Sequence, residues 1–448
     1  MAYIPHTDED RRAMLAAIGV QAIDDLYQAV PADVRFPALN LPQAVSEMEA
    51  AEELQALAEA NLDTLHSACF LGAGAYHHFI PSAVDAILRR GEFYTAYTPY
   101  QPEISQGTLQ ATFEYQSLIC NLTGMDVSNA SHYDGATALA EAVILALNHH
   151  RGARRTVVVS PAVHPHYRET VRTYTQGMQV EVVGDDSCCN GPRQLAARLG
   201  PDTALVAVQY PDFFGHIRDF SELAEAAHAA GALLCVVVNP LALGLLKPPA
   251  DFGADVVVGE GQPLGIPLSY GGPYLGLFAT RNAFVRKMAG RLVGETTDRR
   301  GQRGYVLTLT PREQHIRREK ATSNICTNQG LMALASAVYL SLMGRQGLRR
   351  VAELCYHKAH YAAGRIADLK GYALWNDGPF FHEFVVACPR PVAAINAHLL
   401  DEHGLLGGYD LGRSYPELKD HMLLAFTEVN HREDIDQLVQ ALEEAAHA

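Results

Sequence analysis

The sequence predicts an α/β protein whose mostly parallel sheet is covered by helices on both faces. Short runs of β-branched and apolar residues alternate with stretches of helical periodicity. Fully apolar strands with helical connections are typical of sheets that are buried on both faces. The chain has 448 residues, 48% of them hydrophobic, which is enough for a large core and for two or three domains. The predicted strands are residues 156–160, 179–183, 203–208, 232–238, 254–258 and 274–278.

The chain begins with a predicted helical arm, residues 1–67. Apolar residues recur at helical spacing over residues 8–30, and Pro31 ends the pattern. Residues 43–67 are rich in Ala, Glu and Leu and predict a second helix. We expect this arm to pack on the main body or on a partner.

The large α/β domain is predicted over residues 68–327. Its first part, up to Gly107, is rich in Gly, Tyr and Pro, as in the long ordered loops that are usually functional. A helix is predicted over residues 108–123, ahead of the strands. Asp219 and Glu222 predict a capping box for a later helix, because they stand three residues apart.

A smaller α+β domain is predicted over residues 328–448. An apolar stripe over residues 328–350 predicts the long helix that links it to the sheet. Residues 380–386 predict a strand, and residues 433–447 predict a terminal helix.

Composition argues against several classes of partner. The chain has 35 basic and 50 acidic residues and a net charge of -15, which disfavours nucleic acid and anionic membranes. No apolar run approaches the roughly 20 residues of a membrane span, and no signal-peptide pattern is present, so we expect a cytoplasmic protein. No Cys-x-x-Cys motif occurs and no Cys/His set has zinc spacing, so no metal site is expected.

The segment richest in polar and aromatic residues is 92–107. Its tyrosines recur three residues apart beside stiffening prolines. Rigid phenols on a proline-braced loop suit a pocket wall that hydrogen-bonds a small polar ligand. The alternative is that the tyrosines cover a core and leave their hydroxyl groups in water. The candidate pocket residues are Tyr94, Tyr97, Tyr100, Gln101, Glu103 and Ser105.

A second candidate lies where Gly135 and Thr137 precede a predicted helix. Free backbone amides at a helix N-terminus can hold an anion such as phosphate. Ordinary helix caps have the same pattern, so the sequence alone favours a cap at this position.

Three motifs, in order, resemble the glycine decarboxylase P-protein family of the glycine cleavage system. They are residues 97–107, 259–273 and 319–328, and the resemblance covers residues from about 70 to 340. It implies fold type I of the pyridoxal-phosphate (PLP) dependent transferases, with a seven-stranded sheet and a small C-terminal domain. The family's protein is one chain with two similar halves in some organisms and two subunits in others. A chain of this length resembles the first subunit.

The resemblance implies that the lysine which holds PLP should stand four residues before an Ile-Pro pair. Ile266 and Pro267 match that pair, and position 262 is Gln262, whose amide cannot form a Schiff base. The aspartate that usually charges the cofactor ring is matched by Asn239. His164 matches either the family's ring-stacking histidine or an ordinary structural histidine.

By this resemblance, the chain is a subunit without PLP that completes the site of a homologous PLP-bearing subunit. The expected assembly is a heterodimer or a pair of heterodimers (α2β2). It decarboxylates glycine and passes the aminomethyl group to the lipoyl arm of the H-protein, while this chain alone is inactive. The residues of segment 92–107 are expected to line the mouth of that site.

Other roles follow from the same resemblance. Thr322, Ser323 and Asn324 are expected either to reach the partner's PLP phosphate or to cap a nearby helix. His77 and His78 could bind a metal, but no carboxylate or cysteine accompanies them in the sequence. The alternatives for the whole chain are a purely structural or regulatory partner, a self-sufficient PLP enzyme, and a binder that uses a vestigial cofactor pocket.

Overall fold

The structure is a computed structural model that describes residues 5–188, 190–325, 327–375 and 378–447. Cys326, within the third motif, lies outside the described residues. The chain divides into two compact units, Met1–Leu62 and Asp63–Ala448. The predicted domain boundary at residue 327 falls inside the second unit.

The first unit contains two short helices, α1 (Asp8–Ile18) and α2 (Glu47–Glu59). The predicted helix over residues 8–30 is wrong beyond α1, because Gly19 adopts a left-handed φ of 88° and ends it. The predicted helix over residues 43–67 is also too long, since a capping box with Ser46 begins α2 at Glu47. Among the described residues of this unit, none is buried.

The second unit contains a seven-stranded sheet, which confirms the predicted architecture. Its spatial order is β1-β7-β6-β5-β4-β2-β3, and only β7 runs antiparallel to its neighbours β6 and β1. The strands are β1 (Val127–Ser128), β2 (Thr156–Val159), β3 (Glu181–Val183), β4 (Thr203–Tyr210), β5 (Leu233–Val238), β6 (Val256–Glu260) and β7 (Gly276–Thr280).

Helices cover both faces of this sheet, as the continuous apolar strands predicted. On one face Val206 and Val236 pack in a core with Ile119 of the helix α5 (Gln106–Thr123). On the other face Leu205 packs with Val143 of the helix α6 (Gly135–His149). The helices before and between the strands are α3 (Ser82–Leu88), α4 (Gly91–Tyr94), α5 (Gln106–Thr123), α6 (Gly135–His149), α7 (Pro165–Thr175), α8 (Pro192–Ala196) and α9 (Ser221–Ala229).

The predicted capping box at Asp219 and Glu222 is wrong. Helix α9 begins at Ser221 with Phe220 as its N-cap residue. The Asp219 carboxylate instead accepts hydrogen bonds from the backbone N–H and the hydroxyl of Ser221, at 2.8 and 2.6 Å. Asp219 therefore shapes the turn that leads into the helix.

An antiparallel hairpin that the sequence reasoning missed follows the sheet. It consists of β8 (Leu292–Thr297) and β9 (Arg303–Thr308) and packs on α5 through Leu109 and Val293. The short helix α10 (Gln314–Arg317) comes next.

The long helix α11 (Gly330–Ala367) runs from the sheet to a smaller α+β layer. It bends at Gly344, whose φ of 56° and ψ of -175° are not helical. The smaller layer confirms the predicted C-terminal architecture, with an antiparallel sheet in the order β10-β11-β13-β12. Its elements are β10 (Ala373–Leu374), β11 (Glu383–Ala387), α12 (Val392–His403), β12 (Tyr409–Asp410), β13 (His421–Ala425) and α13 (Arg432–Ala445).

Across the described part of the chain, no helix combines the length and the apolar character that crossing a bilayer requires.

Candidate functional site

A surface cleft of about 270 Å³ lies beside the predicted tyrosine segment. The first turn of α11 and the beginning of α5 form its other walls. Tyr94 and Tyr97 line it and are 70% and 77% exposed. Ligand pockets are usually about 300–1,000 Å³ and bury most of the ligand, so this open cleft is not by itself a closed pocket.

The tyrosine segment is held at both ends by local hydrogen bonds. The hydroxyl of Thr95 donates to the Gly91 carbonyl at 2.6 Å and closes the single turn of α4. At the other end, the Gln106 amide donates to the carbonyls of Pro102 and Tyr305, at 2.7 and 2.8 Å. Hydrogen bonds therefore hold the segment at both ends, and Gln106 attaches its C-terminal end to the hairpin.

Arg291, which the sequence reasoning missed, lies at the base of the cleft and is only 6% exposed. It donates to the Tyr100 hydroxyl at 3.1 Å, and its guanidinium lies 5.5 Å from the centre of the Tyr100 ring. It also contacts Asn328 at 3.4 Å and the Glu313 carboxylate at 3.7 Å. Arg291 therefore positions Tyr100. No sequence motif marked it, because its burial depends on the hairpin.

Of the predicted loop at residues 322–324, Thr322 and Ser323 line a neighbouring cleft that shares Arg291 with the first. The Ser323 hydroxyl donates to Glu141 at 2.7 Å, and burial raises the pKa of that carboxyl to about 7 despite this bond. Thr322 and Asn324 are exposed. The alternative that these residues cap a helix is wrong for α11, because its N-cap residue is Gln329.

The structure separates the remaining candidates from the cleft. Gln101 and Glu103 are exposed, and Ser105 is the N-cap residue of α5. They do not line either cleft in the described part of the chain. Their role at the mouth of a site shared with a partner stays a prediction.

Gln262 lies on the turn after β6, as expected, and is 1% exposed. Its side-chain oxygen accepts from the Tyr76 backbone N–H at 2.9 Å. Its side-chain nitrogen donates to the carbonyls of Tyr76 and Ile266, each at 2.8 Å. An amide with all these partners is a structural link, and it offers no amine to an aldehyde.

The other two expected cofactor contacts are also engaged within the chain. Asn239 follows β5 and donates to His382 at 3.0 Å. His164 donates to the Ala73 carbonyl at 2.9 Å, and burial lowers its pKa to about 4. A neutral amide at Asn239 cannot supply the charge that the PLP ring requires. The residues of this chain therefore do not fit PLP.

The inference that no carboxylate or cysteine accompanies the paired histidines is wrong, because the fold brings both kinds of residue beside His78. Glu428 and Cys355 lie beside His78, and one ligand atom from each of the three lies within 4.8 Å of the others. His78 and the Phe79 backbone N–H each approach Glu428 at 2.7 Å. Burial opposes ionisation of Glu428, but the contacts with His78 and the backbone N–H donors together outweigh it and lower the pKa to about 2. The cluster fastens the segment after residue 70 to the smaller sheet.

The family model of the glycine cleavage system P-protein matches residues 1–442. A probable glycine dehydrogenase (decarboxylating) subunit 1 from Thermomicrobium roseum is 58% identical over 448 residues, which cover 99% of this chain and 100% of that protein.

Solved structures agree with the sequence relatives. The crystal structure of glycine decarboxylase (P-protein) of the glycine cleavage system, in inhibitor-bound form, is 44% identical. It superposes with a TM-score of 0.90 and covers 99% of this chain and 100% of its own. Mouse CSAD in apo form is 15% identical with a TM-score of 0.68, over 95% of this chain and 92% of its own, which shows the fold alone.

Proposed function

The chain belongs to the glycine cleavage system P-protein family, and from that membership we propose that it is the glycine decarboxylase subunit that carries no PLP. With a homologous PLP-bearing subunit it decarboxylates glycine and transfers the aminomethyl group to the lipoyl arm of the H-protein. The chain alone is inactive.

One observation carries this proposal. Gln262 stands where the family's catalytic half has its lysine, and its amide is fully used in hydrogen bonds to Tyr76 and Ile266. A subunit without the amine can take part in the reaction only through a site that another subunit completes. The subunit 1 name of the Thermomicrobium roseum relative is consistent with such a partner.

The contribution of this chain is the wall that its two clefts form. Tyr94 and Tyr97 are exposed on one cleft, Thr322 lines the other, and Arg291 lies between them. These groups can bind and orient a small polar substrate and exclude water once a partner closes the open side. Gln101, Glu103 and Ser105 belong to the rim in this proposal, and Ser323 and Asn324 to the loop beside the partner's phosphate.

The helical arm serves assembly in this account. Large apolar side chains of this unit are exposed, including Leu39 and Leu41 at 70% and 71%. We propose that the arm packs on the PLP-bearing subunit in an α2β2 assembly, and that the complex works in the cytoplasm.

Reconstitution tests the proposal. The two subunits are expressed separately and together with PLP, and glycine-dependent release of carbon dioxide is measured with the lipoylated H-protein. Activity is expected only when both subunits are present. Activity of this chain alone would instead support a self-sufficient PLP enzyme. Full activity of the partner alone would support a purely structural role.

A further inference from the structure

The N-terminus of α6 is the place where an anion would be bound. The carboxyl group of Glu260, a residue of this chain, already lies there. The Gly135 backbone N–H donates to Glu260 at 3.1 Å. The Thr137 backbone N–H donates to Asp134 at 2.7 Å. Two of the backbone amides at this helix end that could receive a phosphate are thus used inside the chain.

Glu260 is held firmly in this position. One of its oxygens accepts from the backbone N–H groups of Gln262 and Leu275, at 3.0 and 2.9 Å. Burial raises its pKa to about 8, and the three backbone donors partly offset that effect. In either protonation state both oxygens are occupied, because the three N–H groups need acceptors. The Tyr167 hydroxyl packs against Gly135 and covers the same helix end.

The space beside His164 is filled by the segment of residues 72–79. Tyr76 is buried, its ring centre lies 4.6 Å from that of His382, and its hydroxyl donates to Glu383 at 2.8 Å. A Cβ on Gly74 would lie 2.9 Å from the His164 ring, so the backbone passes directly against that histidine. A flat cofactor ring has no room on this side of His164.

The segment is fastened on both sides by hydrogen bonds. Gln262 and His164 hold it to the large sheet, while Glu383 accepts from the Ala73 backbone N–H at 2.9 Å. Glu428 holds its other end. The space that remains between Gly74, His164, Asn239 and Glu260 is a cavity of about 30 Å³. That is room for roughly two water molecules.

We propose that the cofactor cavity of this chain is filled by its own residues, with the Glu260 carboxyl group in place of the phosphate and the 72–79 segment in place of the ring. The absence of a lysine at position 262 is then only one of the differences between this cavity and a pocket that binds PLP. This inference concerns the pocket of this chain alone and stands whether or not the proposed activity on glycine is correct.

Pyridoxamine phosphate separates a filled cavity from a missing amine, because it needs no lysine to bind. The assembled complex is first reduced with borohydride, which fixes PLP on the partner subunit. Calorimetric titration with pyridoxamine phosphate should then show no binding to this chain up to millimolar concentration. Binding of one molecule per copy of this chain at micromolar concentration would overturn the proposal.

The variant Gln262→Lys restores the amine without opening the cavity. After incubation with PLP, borohydride reduction and peptide mass spectrometry, position 262 should carry no more pyridoxyl label than the surface lysines do. Stoichiometric label at position 262 would overturn the proposal. The mapping reports on this chain separately, so the partner's PLP does not interfere.

A third measurement keeps the test decisive if the lysine variant does not fold. Glu260→Ala vacates the end of α6, so inorganic phosphate should raise its Tm by about 2 °C or more relative to chloride at equal ionic strength. The wild-type chain and Glu141→Ala, a control with a buried carboxyl group removed from the same helix, should not respond. A Glu260→Ala chain that ignores phosphate, or a wild-type chain that responds equally, would contradict the assignment.

Discussion

At the residue scale, the amide of Gln262 makes a measurable contribution to stability. Gln262→Leu keeps the size of the side chain but leaves the backbone groups of Tyr76 and Ile266 without partners. Because three backbone groups lose their partner and each buried unsatisfied group costs about 1–3 kcal/mol, the free energy of unfolding should fall by about 3 kcal/mol or more. Denaturant unfolding measures this change. The control Gln110→Leu removes an exposed amide on α5 and should change stability by less than about 0.5 kcal/mol. Equal effects of the two variants would show that Gln262 is not a structural link.

The tyrosine wall is tested by Tyr97→Phe in the assembled complex. The phenol is exposed on the cleft and is expected to hydrogen-bond substrate once the partner closes the site. Loss of that bond should lower kcat/KM for glycine about tenfold, which corresponds to about 1.4 kcal/mol. Tyr174→Phe, on α7 and away from both clefts, should leave kcat/KM unchanged. If both variants assemble and behave alike, Tyr97 does not contact substrate.

Buried carboxyl groups make stability depend on pH. Burial raises the pKa of Glu141 and Glu383 to about 7 and that of Glu260 to about 8. The native state therefore binds more protons than the unfolded state at pH values between about 4.5 and 8. Their contribution to stability is present at low pH and is lost as the pH rises through these values.

Buried histidines oppose this effect only at lower pH. Burial lowers the pKa of His132, His164 and His382 well below the ordinary 6.5, so they favour the folded state above that value and destabilise it as the pH falls. Since the histidines of the unfolded chain have lost nearly all their protons by about pH 7.5, the carboxyl groups dominate above that value, and stability should fall between about pH 7.5 and 9. Glu260→Gln should remove the upper part of that fall. Unfolding curves that are flat or rising over this range would contradict the assignment.

At the scale of elements, the helical arm has many apolar side chains that its own structure does not bury. Helices α1 and α2 are well capped, yet the apolar side chains of Leu54 and Leu57 are 66% and 61% exposed. Deleting residues 1–62 should weaken association with the PLP-bearing subunit by at least tenfold, because this surface loses its cover. Analytical ultracentrifugation of the mixed subunits measures the change. If a folded chain of residues 63–448 assembles as well as the full chain does, the arm is not part of the interface.

The strands of the large sheet could be predicted because their residues are apolar on both faces. Strand β5 is a continuous apolar run of Leu, Cys and Val, and β6 begins with three valines. Short runs rich in β-branched residues favour strands over helices. The hairpin β8–β9 was missed, since its exposed half, Glu295 to Thr297, carries no strand pattern. The end of α1 was misplaced because the helical spacing continues past Gly19, where the backbone does not.

The candidate site could be predicted only where its residues are close in the sequence. Gln262 was found by counting back from Ile266, and the tyrosines by their spacing. Tyr76 lies 186 residues from Gln262, and nothing local to either residue signals their contact. The same holds for Arg291 and Tyr100, which are 191 residues apart. Contacts of this kind depend on the sheet order and the hairpin, so the filled cavity emerged only from the structure.

At the scale of the whole molecule, the chain keeps the architecture of a PLP enzyme while its own pocket is closed. The 72–79 segment, which fills the pocket, also joins the large sheet to the smaller one through its hydrogen bonds to Glu383 and Glu428. The two surface clefts remain open, and one of them is lined by the exposed side chains of Tyr94 and Tyr97. This arrangement supports the proposal that the chemistry takes place in a partner's pocket and that this chain shapes its surroundings.

The most direct test of that account is to locate the cofactor in the assembled complex. The complex, purified with PLP, is reduced with borohydride and mapped by peptide mass spectrometry. The account predicts one pyridoxyl group for each partner subunit and no specific label on any lysine of this chain. Stoichiometric label on a lysine of this chain, with release of carbon dioxide from glycine by this chain alone, would contradict it.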